Sequence, residues 1–245
     1  MRIGFFGFGN MGRAIGAALD SQISGLEFFI YTPSGSTPLL EIPKDLDYYI
    51  LAFKPQSLEE FHFDFLPEHK IISLLAGVSL ETLIRKFHVS KIARFMPNTP
   101  ALYREGAGLL FLSLKYSKDE KEQTIKMLES TGKVFLMETE DQLDRATGFT
   151  GSGPGLIFEM ARIFEEELNK LTDNKLPARD MIAQTFFGAA TLMQNDSSRF
   201  SELRDSVTSK KGVTYEALEV FKENQLQEIM SKAFAAAYKR TKEFK

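Results

Sequence analysis

Four hydroxyl side chains surround one turn in the stretch LRDSVTSKKGVTYEALEVF, at residues 203–221. They belong to Ser206, Thr208, Ser209 and Thr214, and the turn also contains two lysines and Gly212. A helical pattern of apolar residues follows at once. The start of a helix has free backbone N–H groups and the positive end of the helix dipole, so it attracts anions. The stretch therefore predicts either an anion-binding helix start or a helix that Thr214 or Ser209 merely caps.

A glycine-rich loop near the amino terminus is the second chemical signal. The segment GFGNMG places Gly7, Gly9 and Gly12 in the G-x-G-x-x-G spacing, after an apolar run and before a helical pattern. Gly7 permits a tight turn, Gly9 lets the backbone approach a pyrophosphate, and Gly12 allows close packing of the helix on the sheet. This context favours a dinucleotide site over a glycine-rich turn that serves packing alone.

The end of the second apolar run bears on which dinucleotide would bind. An NAD enzyme usually has an acidic residue there, because a carboxylate bonds the ribose hydroxyls. Here the sequence is IYTPSGS, in which Thr32, Ser34 and Ser36 supply hydroxyl groups and no acid is present. A carboxylate would repel a 2′-phosphate, whereas hydroxyls and loop amides can bind it. We therefore expect NADPH as the cofactor, with NADH as a poorer donor.

Apolar runs and helical patterns alternate over the first 137 residues, which predicts an α/β fold with a doubly wound, mostly parallel sheet. The predicted strands are residues 2–8, 27–32, 48–53, 70–76, 91–96, 107–114 and 133–137. The predicted helices between them are residues 11–23, 57–66, 79–87 and 117–132. Pro33, Pro38 and Pro43 leave no room for a full helix in the second connection.

The second part of the chain contains helical patterns only, at residues 154–171, 178–195, 214–225 and 226–244. We therefore predict an NAD(P)-binding domain at residues 1–144 and an all-α domain at residues 145–245. The first of these helices carries a broad apolar stripe, and such a face predicts burial against a second copy in a homodimer. The stripe consists of Leu156, Met160, Ile163, Phe164 and Leu168.

The composition indicates which kinds of binding partner and which cellular location to expect. The net charge is −3 and there is no basic stripe, which argues against nucleic acid; the lack of cysteine excludes disulfides and thiolate chemistry. His62, His69 and His88 are scattered, so we expect solvated histidines and no metal site. No apolar run approaches the roughly 20 residues that span a membrane. The amino-terminal glycines argue against a signal peptide, so we expect a cytoplasmic protein.

Three further motifs stand in order between the glycine loop and the segment 203–214: LAFKPQ at 51–56, ARFMPNTPA at 93–101 and GFTGSGPG at 148–155. With these motifs the chain resembles pyrroline-5-carboxylate reductase over nearly its whole length. The resemblance implies an NADPH-dependent reduction of 1-pyrroline-5-carboxylate to L-proline, the last step of proline biosynthesis. It also implies that residues 1–144 form a Rossmann-type domain and that residues 145–245 form an all-α dimerisation and substrate domain, which intertwines with a partner's in a dimer. Such dimers assemble further. A reductase of a different cyclic imine and a non-enzymatic NADP-binding sensor are the alternatives.

The resemblance also assigns roles to residues. By position, Ser209 contacts the substrate carboxylate, the N–H groups of Val213 and Thr214 hold it, and the Thr214 hydroxyl approaches the ring nitrogen, so Ser209 and Thr214 form the catalytic set. Pro97 and Asn98 would lie beside the nicotinamide. The complete predicted cofactor set is Gly7, Phe8, Gly9, Asn10, Met11, Thr32, Ser34, Ala52, Phe53, Lys54, Pro55, Ala76, Pro97 and Asn98.

The chain departs from the family pattern at two turns. The family usually has VTSPGGTT where this chain has VTSKKGVT, so Lys210 and Lys211 replace Pro-Gly. If the turn needs the positive φ that glycine allows, Lys211 must adopt it with strain, or the loop must differ. The segment LNKLTDNKLPARD also lacks the usual Ala-Gly turn and a further glycine. Glu140 and Asp144 resemble acids that precede the GSGP turn, and we expect them to serve helix capping or structure.

Overall fold

The structure is a computed structural model that describes residues 1–35 and 38–242 of the chain. It divides into two compact units. The first contains Met1–Pro154 together with the chain from Ala236 onward, and the second is Gly155–Ala235. The division into functional domains at residue 144 remains a prediction.

Over the described residues, one sheet of seven strands has the order β2-β1-β3-β4-β5-β6-β7. All neighbouring strands are parallel except β5 and β6, so β1 to β5 run in one direction. Each of the seven predicted strands is present. The strands are β1 Arg2–Phe6, β2 Glu27–Tyr31, β3 Tyr48–Leu51, β4 Lys70–Ser73, β5 Lys91–Met96, β6 Gly106–Leu112 and β7 Gly132–Leu136.

Both faces of this sheet are covered, which explains why a central strand such as β3 is buried at every position. In β3, Tyr48 and Ile50 pack into one core cluster, while Tyr49 and Leu51 pack into the cluster on the opposite face. All four side chains are almost fully buried. The alternation of side chains along a strand therefore places two apolar cores on the two sides of the same sheet.

The helices of the described residues include the predicted ones with one exception. Two helices, α4 and the short α7, were not predicted. The helices are α1 Asn10–Asp20, α2 Leu80–Phe87, α3 Lys118–Leu128, α4 Glu140–Thr150, α5 Gly153–Thr172, α6 Ala178–Asn195, α7 Phe200–Ser206, α8 Val213–Glu223 and α9 Leu226–Lys242. Among the described residues of the second connection, a 3-10 turn at Leu39–Glu41 is the only helical element, as the prolines there predict. None of these helices is long and apolar enough to cross a membrane over the part of the chain that the structure describes.

The predicted helix at residues 57–66 is wrong. A 3-10 turn at Pro55–Ser57 leads into a segment that is neither helix nor strand, in which Phe61, Phe63 and Phe65 alternate with polar residues. Their rings pack against Phe6 with centroid distances of 5.0, 4.8 and 5.7 Å. The three rings share one aromatic partner, and packing against it outweighs the helical propensity of the segment.

The prediction that all three histidines are solvated is wrong for His69. Its ring stacks on Tyr49 at a centroid distance of 4.5 Å, and the residue is only 6% exposed. Its Nδ1 accepts a hydrogen bond from the Leu66 N–H, which leaves Nε2 to donate to the Lys44 carbonyl at 2.9 Å. Burial lowers the pKa of His69, since the apolar surroundings disfavour the charged ring.

The second unit buries very little of its own apolar surface. Within Gly155–Ala235, all of which the structure describes, Ala178 is the only buried residue. Large apolar side chains on its helices are exposed instead, among them Phe158 at 63% and Phe187 at 66%. In the predicted stripe, Met160, Ile163 and Phe164 are each at least 40% exposed. An isolated copy of these helices would leave extensive apolar faces in water.

Candidate functional site

The predicted cofactor residues all follow strands of the first unit, at the carboxyl ends of β1 to β5. Because these five strands are parallel, their carboxyl ends lie along one edge of the sheet. The order of strands along the chain reverses between β1 and β3, and ligands of open α/β sheets bind in the crevice at such a point. The residues lie at 7–11 after β1, 32 and 34 after β2, 52–55 after β3, 76 after β4, and 97 and 98 after β5.

The loops after β1 and β3 are in close contact at this crevice. Gly7 has a φ of +88°, and a Cβ on it would lie 2.6 Å from the Phe53 backbone nitrogen and 2.8 Å from the Ala52 carbonyl carbon. Only glycine combines this backbone conformation with this approach. Gly9 differs, because no atom lies within 4 Å of the position that a Cβ on it would take. Gly9 therefore faces open space in front of α1.

The start of α1 fits the pyrophosphate of a dinucleotide. Gly9 is its N-cap residue, and among the described residues no side chain caps the helix. The first turn also lacks an acidic side chain. Free N–H groups, the positive end of the helix dipole and an open glycine face together favour a bound anion. The residues present thus match the chemistry of the predicted cofactor.

A short turn follows β2. The Gly35 N–H donates to the Thr32 carbonyl at 2.9 Å, and the Thr32 side chain lies against Gly35. Thr32 is half-buried and Ser34 is exposed, whereas Ser36 lies outside the described residues. The first acidic residue after this strand is Glu41, in the 3-10 turn. The turn therefore offers hydroxyl groups, and no carboxylate, immediately after the strand.

The loop after β5 is held by the side chain of Asn98, which is only 7% exposed. Its Nδ2 donates to the carbonyl of Thr150 at 3.0 Å, and its Oδ1 accepts from the N–H of Ala107 at 2.9 Å. The side chain thus ties the loop to the last residue of α4 and to β6. Pro97 precedes it and is half-buried.

Behind this loop lies a buried charge cluster that includes an arginine the sequence reasoning missed. Arg94 of β5 is 1% exposed. Its Nη1 donates to Glu140 Oε1 at 2.7 Å, and its Nη2 donates to Asp144 Oδ1 at 2.9 Å. Glu140 Oε1 also accepts the N–H of Leu80 at 2.9 Å, at the start of α2. An arginine between the apolar residues Ala93 and Phe95 of a predicted strand was the signal that could have identified this cluster.

The predicted substrate residues lie in the second unit, around the turn between α7 and α8. The hydroxyls of Ser206 and Thr208 donate to carbonyls of α7. The hydroxyls of Ser209 and Thr214 have no hydrogen-bond partner among the residues that the structure describes. Gly212 is the N-cap residue of α8, and no described side chain caps that helix. The simpler interpretation, in which Thr214 or Ser209 caps the helix, is therefore not seen.

Both turns that depart from the family pattern contain left-handed residues. Lys211 has a φ of +57°, so it takes the conformation that glycine adopts at no steric cost. Asp173 and Asn174, between α5 and α6, have φ values of +50° and +57°. The Gly212 N–H donates to the Ser209 carbonyl at 2.9 Å and closes the first turn. The backbone form expected with glycine is thus adopted by other residues.

Several known proteins that are similar to this chain over nearly its full length are pyrroline-5-carboxylate reductases. A family model for the dimerisation part of pyrroline-5-carboxylate reductase matches residues 140–244. The pyrroline-5-carboxylate reductase of Pseudomonas aeruginosa is 30% identical over an alignment that covers 99% of this chain and 96% of that protein. The solved pyrroline-5-carboxylate reductase of Coxiella burnetii is 27% identical, with a TM-score of 0.85 and coverage of 99% and 97%. The Plasmodium falciparum pyrroline carboxylate reductase, solved with NADP bound, is 22% identical and shares the fold, with a TM-score of 0.89 and coverage of 100% and 98%.

Proposed function

Because the chain belongs to the pyrroline-5-carboxylate reductase family, we propose that it reduces 1-pyrroline-5-carboxylate to L-proline with NADPH, the last step of proline biosynthesis. The observation that carries this proposal is the relationship to the Pseudomonas aeruginosa enzyme over nearly the full length of both chains. The test is the rate of NADPH oxidation with pyrroline-5-carboxylate and with other cyclic imines. A higher kcat/KM for another imine would favour the different-imine alternative, and dinucleotide binding without turnover would favour the sensor.

The cofactor site is proposed at the carboxyl edge of the sheet. The uncapped start of α1, with residues Gly7 to Met11, would hold the pyrophosphate, and Thr32 and Ser34 would bind the 2′-phosphate. The other strand ends would line the dinucleotide, with Ala52, Phe53, Lys54, Pro55, Ala76, Pro97 and Asn98. When bound, the dinucleotide supplies the hydride that the imine carbon accepts. The lack of an acid after β2 supports NADPH over NADH, and a higher kcat/KM with NADH would contradict it.

The substrate site is proposed at the start of α8. Its free N–H groups at Val213 and Thr214 would bind the carboxylate together with the Ser209 hydroxyl. The Thr214 hydroxyl would meet the ring nitrogen. An iminium is already electrophilic, so these groups act by position and electrostatics and no strong protein acid is required. Support comes from the two hydroxyls that have no hydrogen-bond partner among the described residues.

The change Thr214→Ala tests this role. One hydrogen bond to a charged group is worth roughly 1.5–3 kcal/mol, so kcat/KM for the imine should fall on the order of ten- to a hundredfold. NADPH affinity and thermal stability should stay nearly unchanged, since no described side chain caps α8. Ser206→Ala is the matched control, because that hydroxyl donates to the Leu203 carbonyl within α7 and its loss should leave turnover intact. A Thr214→Ala protein that melts earlier and turns over normally would refute the proposed role.

The assembly is proposed to be a homodimer through the helices of the second domain, residues 145–245, while residues 1–144 bind the cofactor. The matched dimerisation model and the exposed apolar helix faces support this. Phe158→Glu should lower the mass measured by light scattering, whereas Leu114→Glu, at an exposed site of the first unit, should not. Equal effects of the two changes would contradict the proposed surface. Assembly beyond the dimer and a cytoplasmic location are further proposals, tested by mass measurement and cell fractionation.

A further inference from the structure

Arg94 joins three segments that converge on the proposed nicotinamide end of the site. It lies in β5, three residues before Pro97. Both acids that it contacts are on α4, one helical turn apart and therefore on one face. Without the guanidinium, two buried or half-buried carboxylates would face each other at that turn. Arg94 thus fixes the first turn of α4 against β5.

Glu140 extends the connection to the loop after β4. The same Oε1 atom that accepts from Arg94 also accepts the N–H of Leu80 at 2.9 Å. Leu80 is the first residue of α2, and the loop before it contains Ala76. The loop after β4 and strand β5 are therefore held by one carboxylate oxygen.

The other end of α4 is tied to the loop after β5. The Asn98 amide donates to the carbonyl of Thr150, the last residue of α4. Helix α4 is thus bonded at its first turn to Arg94 and at its last residue to Asn98. Any change in the Arg94 contacts would move this helix relative to both loops.

The cluster is not arranged for stability alone. The Nε–H of Arg94 is buried and has no hydrogen-bond partner among the described residues, and such a donor is costly. Buried ion pairs are in general weak contributors to stability, because the loss of hydration offsets their attraction. The feature that the cluster does provide is a fixed geometry between the two loops.

We propose that Arg94 is a positioning residue for the nicotinamide end of the cofactor site, acting through Glu140 and α4 on the loops that contain Ala76 and Pro97. This inference rests on the proposed function, because it presumes that those loops hold the reacting ring. Arg94 itself touches neither substrate nor cofactor in this scheme. It sets the distance over which the reaction occurs, while the contacts at β1 to β3 retain the rest of the dinucleotide.

The test compares Arg94→Lys and Glu140→Gln with the control Lys91→Met. Lysine keeps the charge of Arg94 but loses the planar fork that reaches both acids. Glutamine keeps an acceptor oxygen but loses the charge. Lys91 lies on the same strand at its other end, where it forms an ion pair with Glu120 at 2.6 Å. The control therefore breaks an ion pair of β5 away from the carboxyl edge.

The first readout is amide hydrogen exchange of the cofactor-free protein. Peptides covering residues 74–82 and 95–103 should exchange faster in both test variants and at the wild-type rate in Lys91→Met, even where the melting temperatures match. Unchanged exchange in these two peptides would overturn the inference. This readout does not depend on the reaction, so it judges the role of Arg94 even if the wild-type protein fails to reduce pyrroline-5-carboxylate.

The second readout is kinetic. In Arg94→Lys, kcat should fall on the order of ten- to a hundredfold, since a small displacement of reacting groups has that effect. The dissociation constant for NADPH should stay close to that of the wild type. The kinetic isotope effect on kcat, with the dinucleotide deuterated at the transferred position, should rise because hydride transfer becomes slower than release. An active wild type with an equally active Arg94→Lys variant would refute positioning, whereas an inactive wild type would refute the proposed function.

Discussion

The left-handed conformation of Lys211 makes a quantitative prediction about stability. With a φ of +57°, its Cβ crowds the adjacent carbonyl oxygen, and this costs an ordinary residue roughly 1–2 kcal/mol. Glycine in its place removes that strain but gains freedom in the unfolded chain, which opposes folding by roughly 0.5–1 kcal/mol. The change Lys211→Gly should therefore raise the free energy of unfolding by about 0.75 kcal/mol, the difference between the midpoints of these two terms.

Urea unfolding at one fixed protein concentration measures this difference, since stability that depends on assembly changes with concentration. The midpoint should rise at an unchanged slope, because a turn residue alters little of the surface exposed on unfolding. Removal of a positive charge accompanies the change, and a neighbouring lysine controls for it.

The control is Lys210→Gly. Lys210 is not among the described residues with positive φ, so glycine relieves no strain there. Its replacement should lower the free energy of unfolding by roughly 0.5–1 kcal/mol through the unfolded chain alone. The two variants differ by one position and carry the same charge, yet they should move in opposite directions. A shift of the same sign and size in both would refute the assignment of strain to Lys211.

Three further predictions concern the first unit. Gly9→Ala should weaken dinucleotide binding and leave the melting temperature unchanged, because the new Cβ would enter open space before α1. Gly7→Ala should lower the melting temperature as well, because its Cβ would contact the backbone of Ala52 and Phe53. Titration measures the binding, and calorimetry measures the melting temperature. A hydrogen bond from Lys91 lowers the pKa of the Glu120 carboxyl to about 2. The ionised carboxyl therefore stabilises the folded protein above the pKa that Glu120 has in the unfolded chain, and this stabilisation is lost as pH falls toward 2. Glu120→Gln should thus lower the free energy of unfolding by about 1 kcal/mol at neutral pH, and the values for variant and wild type should become equal near pH 2. A difference between the two proteins that stays the same at every pH would contradict this. Burial lowers the pKa of His69, so the folded protein favours the neutral ring. The free energy of unfolding should therefore decrease as pH falls below the unfolded pKa of about 6.5, and His69→Gln should make it less dependent on pH in that range.

The sheet was predictable because its central strands are buried on both faces. Continuous apolar runs such as YYIL at 48–51 have few alternatives to a covered strand, and the glycine loop fixed which strand comes first. Once the strands are parallel, topology alone places the residues that follow β1 to β5 at one edge. The grouping of the predicted cofactor residues therefore follows from the alternation of elements, although their roles remain proposals.

The failures came from contacts between residues distant in sequence. The segment at 57–66 has helical spacing, but its phenylalanines pack against Phe6 and are fixed by that aromatic cluster. His69 looks solvated by composition, yet Tyr49 provides a flat surface for its ring. Arg94 is 46 residues from Glu140 and 50 residues from Asp144 along the chain, and no local sequence pattern identifies partners so far apart.

The two turns that depart from the family pattern have left-handed backbone conformations without glycine at those positions. Lys211, Asp173 and Asn174 keep left-handed backbone where the family usually has glycine nearby, so the conformation does not depend on the residue that adopts it most easily. At the first turn the determinants are the hydrogen bond from Gly212 to the Ser209 carbonyl and the start of α8 directly after it. These contacts hold the backbone of the turn in place, so Lys211 must adopt the strained left-handed conformation. The uncapped helix start can therefore keep its proposed role in anion binding while the turn before it changes in sequence, and its strain is the measurable consequence.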